Sequence, residues 1–184
     1  MTTSVDIGVF KTVSRAIASS ENPDMMAAHM AQLLVADLSL KGCTIFALNV
    51  ESDELEILAS FGLSIAYLNK GPVFSQQSLS ETRQGQTIVI TDISQTDRLQ
   101  YPADAKAEGI GAIVSVPIRI YDRVIGALRF YCRDPWEPSD HDLEVLTLMG
   151  EYLGLALMYA RLYNAVASVS EIVGDVHSVW MGRK

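Results

Sequence analysis

Residues 108–132 read EGIGAIVSVPIRIYDRVIGALRFYC, and this stretch decides the fold. Two segments rich in strand-forming side chains, residues 110–120 and 123–132, flank the polar pair Tyr121-Asp122. Strand-forming residues on both sides of a two-residue polar turn are typical of a β-hairpin. We therefore predict that the two segments form an antiparallel pair of strands.

The two faces of this predicted hairpin differ in character. Side chains alternate between the faces of a strand, so one face is purely apolar and suits packing under helices. The other face carries Ser115, Arg129 and Tyr131, and suits a pocket. Burying a guanidinium without a partner is very costly, so Arg129 must reach solvent, a carboxylate or an anionic ligand. Two hypotheses stay open for Arg129: a salt bridge to a Glu or Asp in the roof, such as Asp92 or Glu108, or a bond to a ligand's carboxylate or phosphate.

The rest of the chain predicts further strands grouped between helices. Apolar residues recur at helical spacing near the start of the chain, and runs of strand formers follow them. The predicted helices lie near residues 7–17, 24–38, 79–84 and 103–108, and the predicted strands at residues 43–49, 55–60 and 87–90. Two long connections, residues 61–77 and 93–109, separate these elements. This order favours an α+β domain with an antiparallel sheet.

The last predicted element is a long helix. Ser139 as N-cap and Asp142 three residues later form the pattern of a capping box. Two apolar series follow at steps of three and four residues, and they lie on opposed faces because positions two apart differ by about 200°. The first series is Leu143, Leu146, Gly150, Leu153, Leu157 and Ala160, and the second is Leu148, Tyr152, Leu155, Tyr159, Leu162, Val166, Val169 and Val173.

A helix that is apolar on two opposed faces must be covered on both. The sheet and the first helix can cover one face, and the heptad spacing of the second series is what a neighbouring helix prefers. We predict a homodimer through helices 6–20 and 139–172. The alternative is that the first two helices bury both series within a monomer.

Composition excludes several classes of function. The net charge of −8 argues against nucleic acid, whose phosphates demand a basic surface. No signal peptide is recognisable, and the longest uninterrupted apolar run, residues 155–160, is far shorter than a membrane span of ~20 residues. Two cysteines do not make a disulfide framework, so we expect a cytoplasmic protein. The three histidines lack ligand spacing, and we expect neither a metal site nor a cofactor.

Five segments in their order and spacing resemble the GAF domain family over roughly residues 6–170. They are QTIVITDI at 86–93, IVSVPI at 113–118, VIGAL at 124–128, PSDHDL at 138–143 and ARLY at 160–163. The resemblance implies a GAF-like fold of the α+β class. In it, a central antiparallel sheet of five to six strands has the N- and C-terminal helices packed on one face, and loops and short helices roof a pocket on the other. It also implies sensing of small ligands, such as cyclic nucleotides or bilins, and dimerisation through the terminal helices.

Departures from the family's sequence patterns narrow the range of ligand classes that we expect. Bilin-attaching members carry a cysteine beside a histidine in the roof, and free methionine sulfoxide reductases of this fold use roof cysteines. Residues 61–109 contain neither residue type. Cyclic-nucleotide binders follow Asn-Lys with Phe and Asp-Glu, but Asn69-Lys70 is not followed by Phe-x-x-x-Asp-Glu.

We therefore predict a cytoplasmic sensory or signalling domain, not an enzyme, that binds an unidentified small ligand. A separate effector protein is a candidate partner. The domain spans residues 1–172, with its long helix starting near residue 139, and residues 173–184 form a tail. The predicted ligand-binding residues are Phe74, Arg98, Tyr101, Ile113, Ser115, Arg129 and Tyr131. Two alternatives are an interaction module whose side chains fill the pocket, and a small redox enzyme that uses Cys43 and Cys132.

Overall fold

Antiparallel strands form the sheet of this domain. The computed structural model describes residues 7–18, 20, 22–49, 51–52, 54–71, 73–74 and 84–181. The strands are β1 Gly42–Asn49, β2 Glu54–Phe61, β3 Val73–Phe74, β4 Ile88–Ile90, β5 Ala112–Ile120 and β6 Arg123–Cys132. Their order in the sheet is β3-β2-β1-β6-β5-β4. The helices are α1 Ile7–Ala18, α2 Pro23–Asp37, α3 Ile65–Leu68, α4 Pro102–Ala107 and α5 Asp140–Met181, with a 3₁₀ turn at Ile93–Gln95. The helix predicted at residues 79–84 lies outside the described residues.

The predicted hairpin is confirmed as β5 and β6. Its turn lies at Tyr121 and Asp122, and Tyr121 adopts a positive φ of 52°. The pairing places Ser115 opposite Arg129 and Ile113 opposite Tyr131. On its other side β6 pairs with β1, so the hairpin lies in the middle of the sheet.

The purely apolar face of the hairpin packs under the helices, as predicted. Strand residues Val114, Val116, Ile118, Leu128 and Phe130 share one buried cluster with helix residues Met26, Met30, Leu34, Leu146, Met149 and Leu153. Helix α2 lies against β1 and β2, while α5 lies against β5. The helical layer and this face of the sheet therefore form the main core.

Helix α5 begins with the predicted capping box and then approaches β5 closely. Ser139 Oγ accepts a hydrogen bond from the backbone N–H of Asp142, and the Asp142 carboxylate accepts one from the N–H of Ser139. At Gly150 an added Cβ would lie 2.6 Å from the backbone oxygen of Pro117, and at Gly154 it would collide with the backbone oxygen of Arg119. The two glycines let the helix backbone rest directly on the strand.

The second apolar series of α5 is largely uncovered within the protomer. Tyr152 contacts Phe10 of α1, with ring centroids 5.1 Å apart. The other members within the described side chains are exposed: Leu148, Leu155, Tyr159, Leu162, Val166 and Val169. The alternative that α1 and α2 bury both series is therefore wrong.

Helix α5 also extends further than the sequence pattern indicates. The apolar series stops at Val173, yet the backbone stays helical to Met181. By length and composition alone, the segment Asp140–Val169 could cross a membrane, which contrasts with the short apolar run noted above. In this protein 44% of that apolar window is buried, chiefly through the series that packs on the sheet.

Candidate ligand site on the sheet face away from the helices

The sheet face opposite the helices, here called the roof face, carries a second buried cluster. Its sheet members include Phe46, Ile88, Ile90, Ile113, Ala127 and Tyr131, and its covering members include Tyr67, Ala105 and Ile110. Helices α3 and α4 supply Tyr67 and Ala105, so both short helices lie over this face. The prediction that Ile113 and Tyr131 point away from the helical layer is confirmed.

A row of polar side chains crosses the roof face on four adjacent strands. Ser60 pairs with Thr44, Thr44 with Arg129, and Arg129 with Ser115. The Thr44 and Ser60 hydroxyl oxygens lie 3.0 Å apart and share a hydrogen bond. Thr44, Arg129 and Ser115 are each at least 95% buried. Among the described residues, Ser115 Oγ has no hydrogen-bond partner, which is costly for a buried hydroxyl.

Arg129 lies at the centre of this row. Its Cζ lies 5.5 Å from the centroid of the Phe46 ring, in cation–π range. The two carboxylates predicted as alternative partners bind elsewhere: Asp92 accepts hydrogen bonds from Ser94, whose hydroxyl is 2.7 Å away, and Glu108 forms an ion pair with Lys41 at 2.9 Å. A salt bridge from Arg129 to either of these two carboxylates is not formed.

Helix α3 brings a second cation to the roof face. The Tyr67 ring packs edge-to-face on Tyr131, with centroids 5.9 Å apart. The Lys70 ammonium lies 3.8 Å from the centroid of the Tyr67 ring, donates a 3.0 Å hydrogen bond to the Tyr67 carbonyl, and lies 5.8 Å from the Tyr101 ring. Lys70 is half-buried in this aromatic setting.

The electrostatics of the roof face disfavour further positive charge. Burial, and then the positive charge of Arg129, lower the pKa of Lys70 to about 8. Burial raises the pKa values of the Tyr67 and Tyr131 hydroxyls, so both rings stay neutral. The charges of Asp104 and Glu108 act on Lys70 in the opposite sense and are smaller contributions. Hydroxyl donors and cations that lie near one another can bind an anion.

A polar clip fastens the roof to the sheet. Lys41, directly before β1, donates to Glu108 after α4 and to the Gly62 carbonyl at 3.1 Å. Glu108 also accepts hydrogen bonds from the Ser64 backbone N–H at 2.9 Å and from the Ser64 hydroxyl. Ser64 is the N-cap of α3, so one carboxylate joins α3, α4 and β1. Burial alone would raise the pKa of Glu108, but the bonds from Ser64 and Lys41 outweigh it and hold the pKa below its usual range.

The predicted site residues divide into three groups. Ile113, Ser115, Arg129 and Tyr131 lie together on the roof face. Tyr101 lies near the Lys70 ammonium, which connects it to this group. Arg98 is exposed, and the side chain of Phe74 lies outside the described residues. Sequence reasoning missed Lys70. Lys70 could have been selected from the sequence. It is a basic residue in the long connection that contains YLNKG, and Arg98 was selected because it is a basic residue in a long connection.

The two cysteines lie on the opposite side of the sheet from this site. Strands β1 and β6 are antiparallel neighbours, and both thiols lie in or against the cluster under the helices. Burial raises the pKa of Cys43 far above its usual range and that of Cys132 to about 11. Both are free thiols that are predominantly protonated at neutral pH. Across the part of the chain that the structure describes, no cluster of three metal-ligating side chains occurs.

A sheet with terminal helices on one face and a roof of short helices on the other is the arrangement of the GAF class of domain, and comparison with known proteins agrees. The family model described as "GAF domain" matches residues 21–158, and the chain belongs to this family. GAF domains are generally sensory or signalling modules. The sequence has no match among curated proteins.

Solved structures share the fold at low sequence identity. The GAF domain of a phosphoenolpyruvate-protein phosphotransferase from Coxiella burnetii is 14% identical, with a TM-score of 0.76 over 86% of this chain and 96% of that one. The GAF domain of the same kind of protein from Acinetobacter is 18% identical, with a TM-score of 0.70 over 86% and 97%. A free methionine-R-sulfoxide reductase from Neisseria meningitidis, solved with its substrate, is 14% identical, with a TM-score of 0.70 over 87% and 96%.

Proposed function

We propose that this chain is a cytoplasmic, non-enzymatic GAF sensor that binds a small ligand between the roof face and α3 and α4. The observation that carries the proposal is the polar row through Arg129 and Ser115. Polar groups in the interior of a domain are normally satisfied, and Ser115 Oγ, which has no partner among the described residues, supports a ligand group as its partner. Binding would order the roof and shift α5, and a separate effector protein would read that shift.

Two observations favour ligand binding over the alternatives. A filled, ligand-free interaction module would have only apolar side chains over the roof face, whereas a lysine, Lys70, packs on the Tyr67 ring there. A redox enzyme needs a reactive thiolate, whereas Cys43 and Cys132 are protonated and lie under the helices.

Native mass spectrometry of the chain, purified without added ligand, tests the proposal. We expect an adduct of one small molecule that disappears in Arg129→Met. Arg123→Met is the matched control, because Arg123 is an exposed arginine on the same strand. Circular dichroism verifies that each variant folds. An adduct that survives Arg129→Met in a folded protein contradicts the assignment of the site.

We also propose a homodimer in which a second copy covers the outer face of α5. The exposed apolar series keeps heptad spacing over residues 148–169, which is about 32 Å of helix. It is continuous with an apolar groove of about 430 Å³ between the end of α1 and α5, lined in part by Ile17, Tyr152, Tyr159 and Tyr163. Apolar side chains at this spacing match a symmetric copy of the same helix.

Sedimentation velocity of paired charge variants tests the dimer. Leu162 and Asn164 are both exposed on α5 and differ by about 200° around the helix. Leu162→Glu places a charge in the apolar series, and we expect a monomer. Asn164→Glu adds the same charge on the far side and should leave the dimer intact. A wild-type monomer at all concentrations would rule out this interface.

A further inference from the structure

The second half of α5, residues 161–181 and here called the stalk, follows the part of the helix that packs on the sheet. The inward apolar series ends at Ala160, and every described side chain from Arg161 to Val169 is exposed. The backbone stays helical to Met181, so the stalk is about 31 Å long. Most helical stability in proteins comes from the packing of an apolar face, so the stalk requires a partner.

The outward apolar series has the composition of one kind of coiled coil. In the heptad repeat abcdefg its members alternate between positions d and a. Leu148, Leu155, Leu162 and Val169 occupy d, and Tyr152, Tyr159, Val166 and Val173 occupy a. Leucine at d with a β-branched residue at a is the pattern of parallel, two-stranded coiled coils, and Leu162, Val166 and Val173 follow it.

The two tyrosines at a lie where the domain gives their rings room. Tyr152 and Tyr159 line the groove of about 430 Å³ between α1 and α5. The a positions further along the helix hold the smaller Val166 and Val173. Two copies of α5 can therefore keep one separation of about 8–10 Å along the whole series.

The flanking positions e and g leave the orientation to the residues at a and d. These positions hold Met149, Glu151, Ala156, Met158, Tyr163, Ala165, Ser170 and Ile172, of which only Glu151 is charged. Charges at e and g normally set the orientation of paired helices. In a parallel pair a g residue meets the next e residue of the other helix, so Glu151 meets Ala156 and no like charges oppose each other.

The exposed apolar surface of α5 is large enough for a stable dimer. Seven large apolar side chains are 49–70% exposed: Leu148, Leu155, Tyr159, Leu162, Tyr163, Val166 and Val169. At roughly 100 Å² each they offer on the order of 700 Å² per copy, close to the about 800 Å² that each partner buries in a stable interface.

We propose that two copies of α5 pair in parallel and in register over residues 148–173, as a two-stranded coiled coil. The inference rests on the proposed homodimer and adds its orientation. A parallel pair brings the far ends of the two helices together. An effector that binds the stalk therefore contacts two identical helices at once.

Distances between spin labels on the full chain test the orientation. Glu144→Cys and Ser168→Cys place labels at exposed positions of α5 that are about 36 Å apart along the helix. In a parallel pair neither homodimer has an offset along the helix, so both distances should stay below about 30 Å, the helix separation plus two side chains. In an antiparallel pair the two offsets add up to at least about 72 Å, so at least one distance is about 36 Å or longer. Wild-type protein taken through the same labelling provides the background from Cys43 and Cys132.

The outcomes separate the orientation from the dimer itself. Two short distances support both proposals. A long distance in a protein that sediments as a dimer would refute the parallel arrangement and leave the dimer standing, and a monomer would refute both.

Two charge variants assign the distances to the apolar series. Leu162→Glu, added to each labelled variant, should abolish the short distances, and Asn164→Glu on the far side of the helix should preserve them. Short distances that survive Leu162→Glu, in protein that circular dichroism shows to be folded, would overturn the proposed interface.

Discussion

Ser115 and Arg129 lie directly opposite each other on β5 and β6, on the sheet face that the helices leave to the roof. Both are buried, and the same row continues through Thr44 to Ser60. A polar row inside a domain contributes to stability only where its hydrogen bonds are made, so the two serines at its ends should behave differently.

Ser60→Ala and Ser115→Ala should change stability in opposite directions. Ser60→Ala removes the hydroxyl that shares a hydrogen bond with buried Thr44, and we expect a loss of about 1 kcal/mol in the free energy of unfolding. Ser115→Ala removes a buried hydroxyl without a partner among the described residues, and ligand-free protein should gain about 1 kcal/mol. Urea denaturation measures both. Equal losses would show that Ser115 is satisfied in the free protein.

Lys70 should make stability depend on alkaline pH. Its pKa in the folded state, about 8, lies below the unfolded value, so the unfolded chain binds more protons between these two pKa values. The cost of burying the ammonium is therefore fully present below pH 8 and disappears as the pH rises toward the unfolded pKa of about 10.4. Lys70→Met should be more stable than wild type at pH 7, and the difference should shrink by pH 10. Lys106→Met, which removes the same charge from an exposed position on α4, is the control.

Glu108→Gln should loosen the roof. The variant loses the charge that attracts Lys41 and the Ser64 donors, at a cost of about 1–2 kcal/mol. Hydrogen exchange should accelerate in α3, while Asp104→Asn at an exposed position of α4 should leave it unchanged. Because the folded pKa of Glu108 is depressed, its contribution is fully present above the ordinary carboxyl pKa of about 4.3 and is lost as the pH falls through the folded value. An unchanged exchange rate would show that the clip does not hold α3.

Gly154→Ala should destabilise the packing of α5 on β5. Alanine favours a helix over glycine by about 1 kcal/mol, but the new methyl collides with the backbone oxygen of Arg119, which cannot rotate away. Overpacking of this kind costs about 1–3 kcal/mol, so the collision should outweigh the propensity. Thermal denaturation checks the sign, and Ser168→Ala on the exposed part of the same helix provides the reference. A stabilised Gly154→Ala would mean that the helix can lift from the strand without loss.

The two thiols should be unreactive in the folded protein. Burial keeps Cys43 protonated, and the pKa of Cys132 is about 11, so little thiolate exists at pH 8. We expect an aromatic disulfide reagent to label both cysteines rapidly in denaturant and neither within minutes under native conditions. Fast labelling of Cys132 in the folded state would support the alternative that the protein is a small redox enzyme.

The periodicity of apolar residues along the chain was sufficient to predict the sheet and the long helix. The alternation in β5 and β6 placed Val114 and Leu128 under the helices and Ser115 and Arg129 on the roof face, because the two faces of a strand follow from position alone. The capping box at Ser139 was likewise predictable from the sequence, since its hydrogen bonds join residues three apart.

Contacts between loops that are distant in sequence could not be predicted in the same way. Asp92 and Glu108 were plausible partners of Arg129 by charge, but the partners of a loop carboxylate depend on how the roof folds over the sheet. Glu108 is 67 residues from its partner Lys41, and no local pattern joins them. The end of α5 was misjudged for a different reason. Past Ala160 every described side chain up to Val169 is exposed, so the helix continues without a packed face to mark its limit.

Strand β5 contacts the helical layer with one face and the roof with the other. Ser115 points into the roof, while its chain neighbours Val114 and Val116 pack in the helical cluster beneath α5. A single layer of backbone therefore separates the candidate site from a helix that runs about 40 Å from Gly154 to its last turn. A tilt of a few degrees where α5 rests on β5 would displace the far end of a straight helix by ångströms, so a small change at the strand would be enlarged along α5.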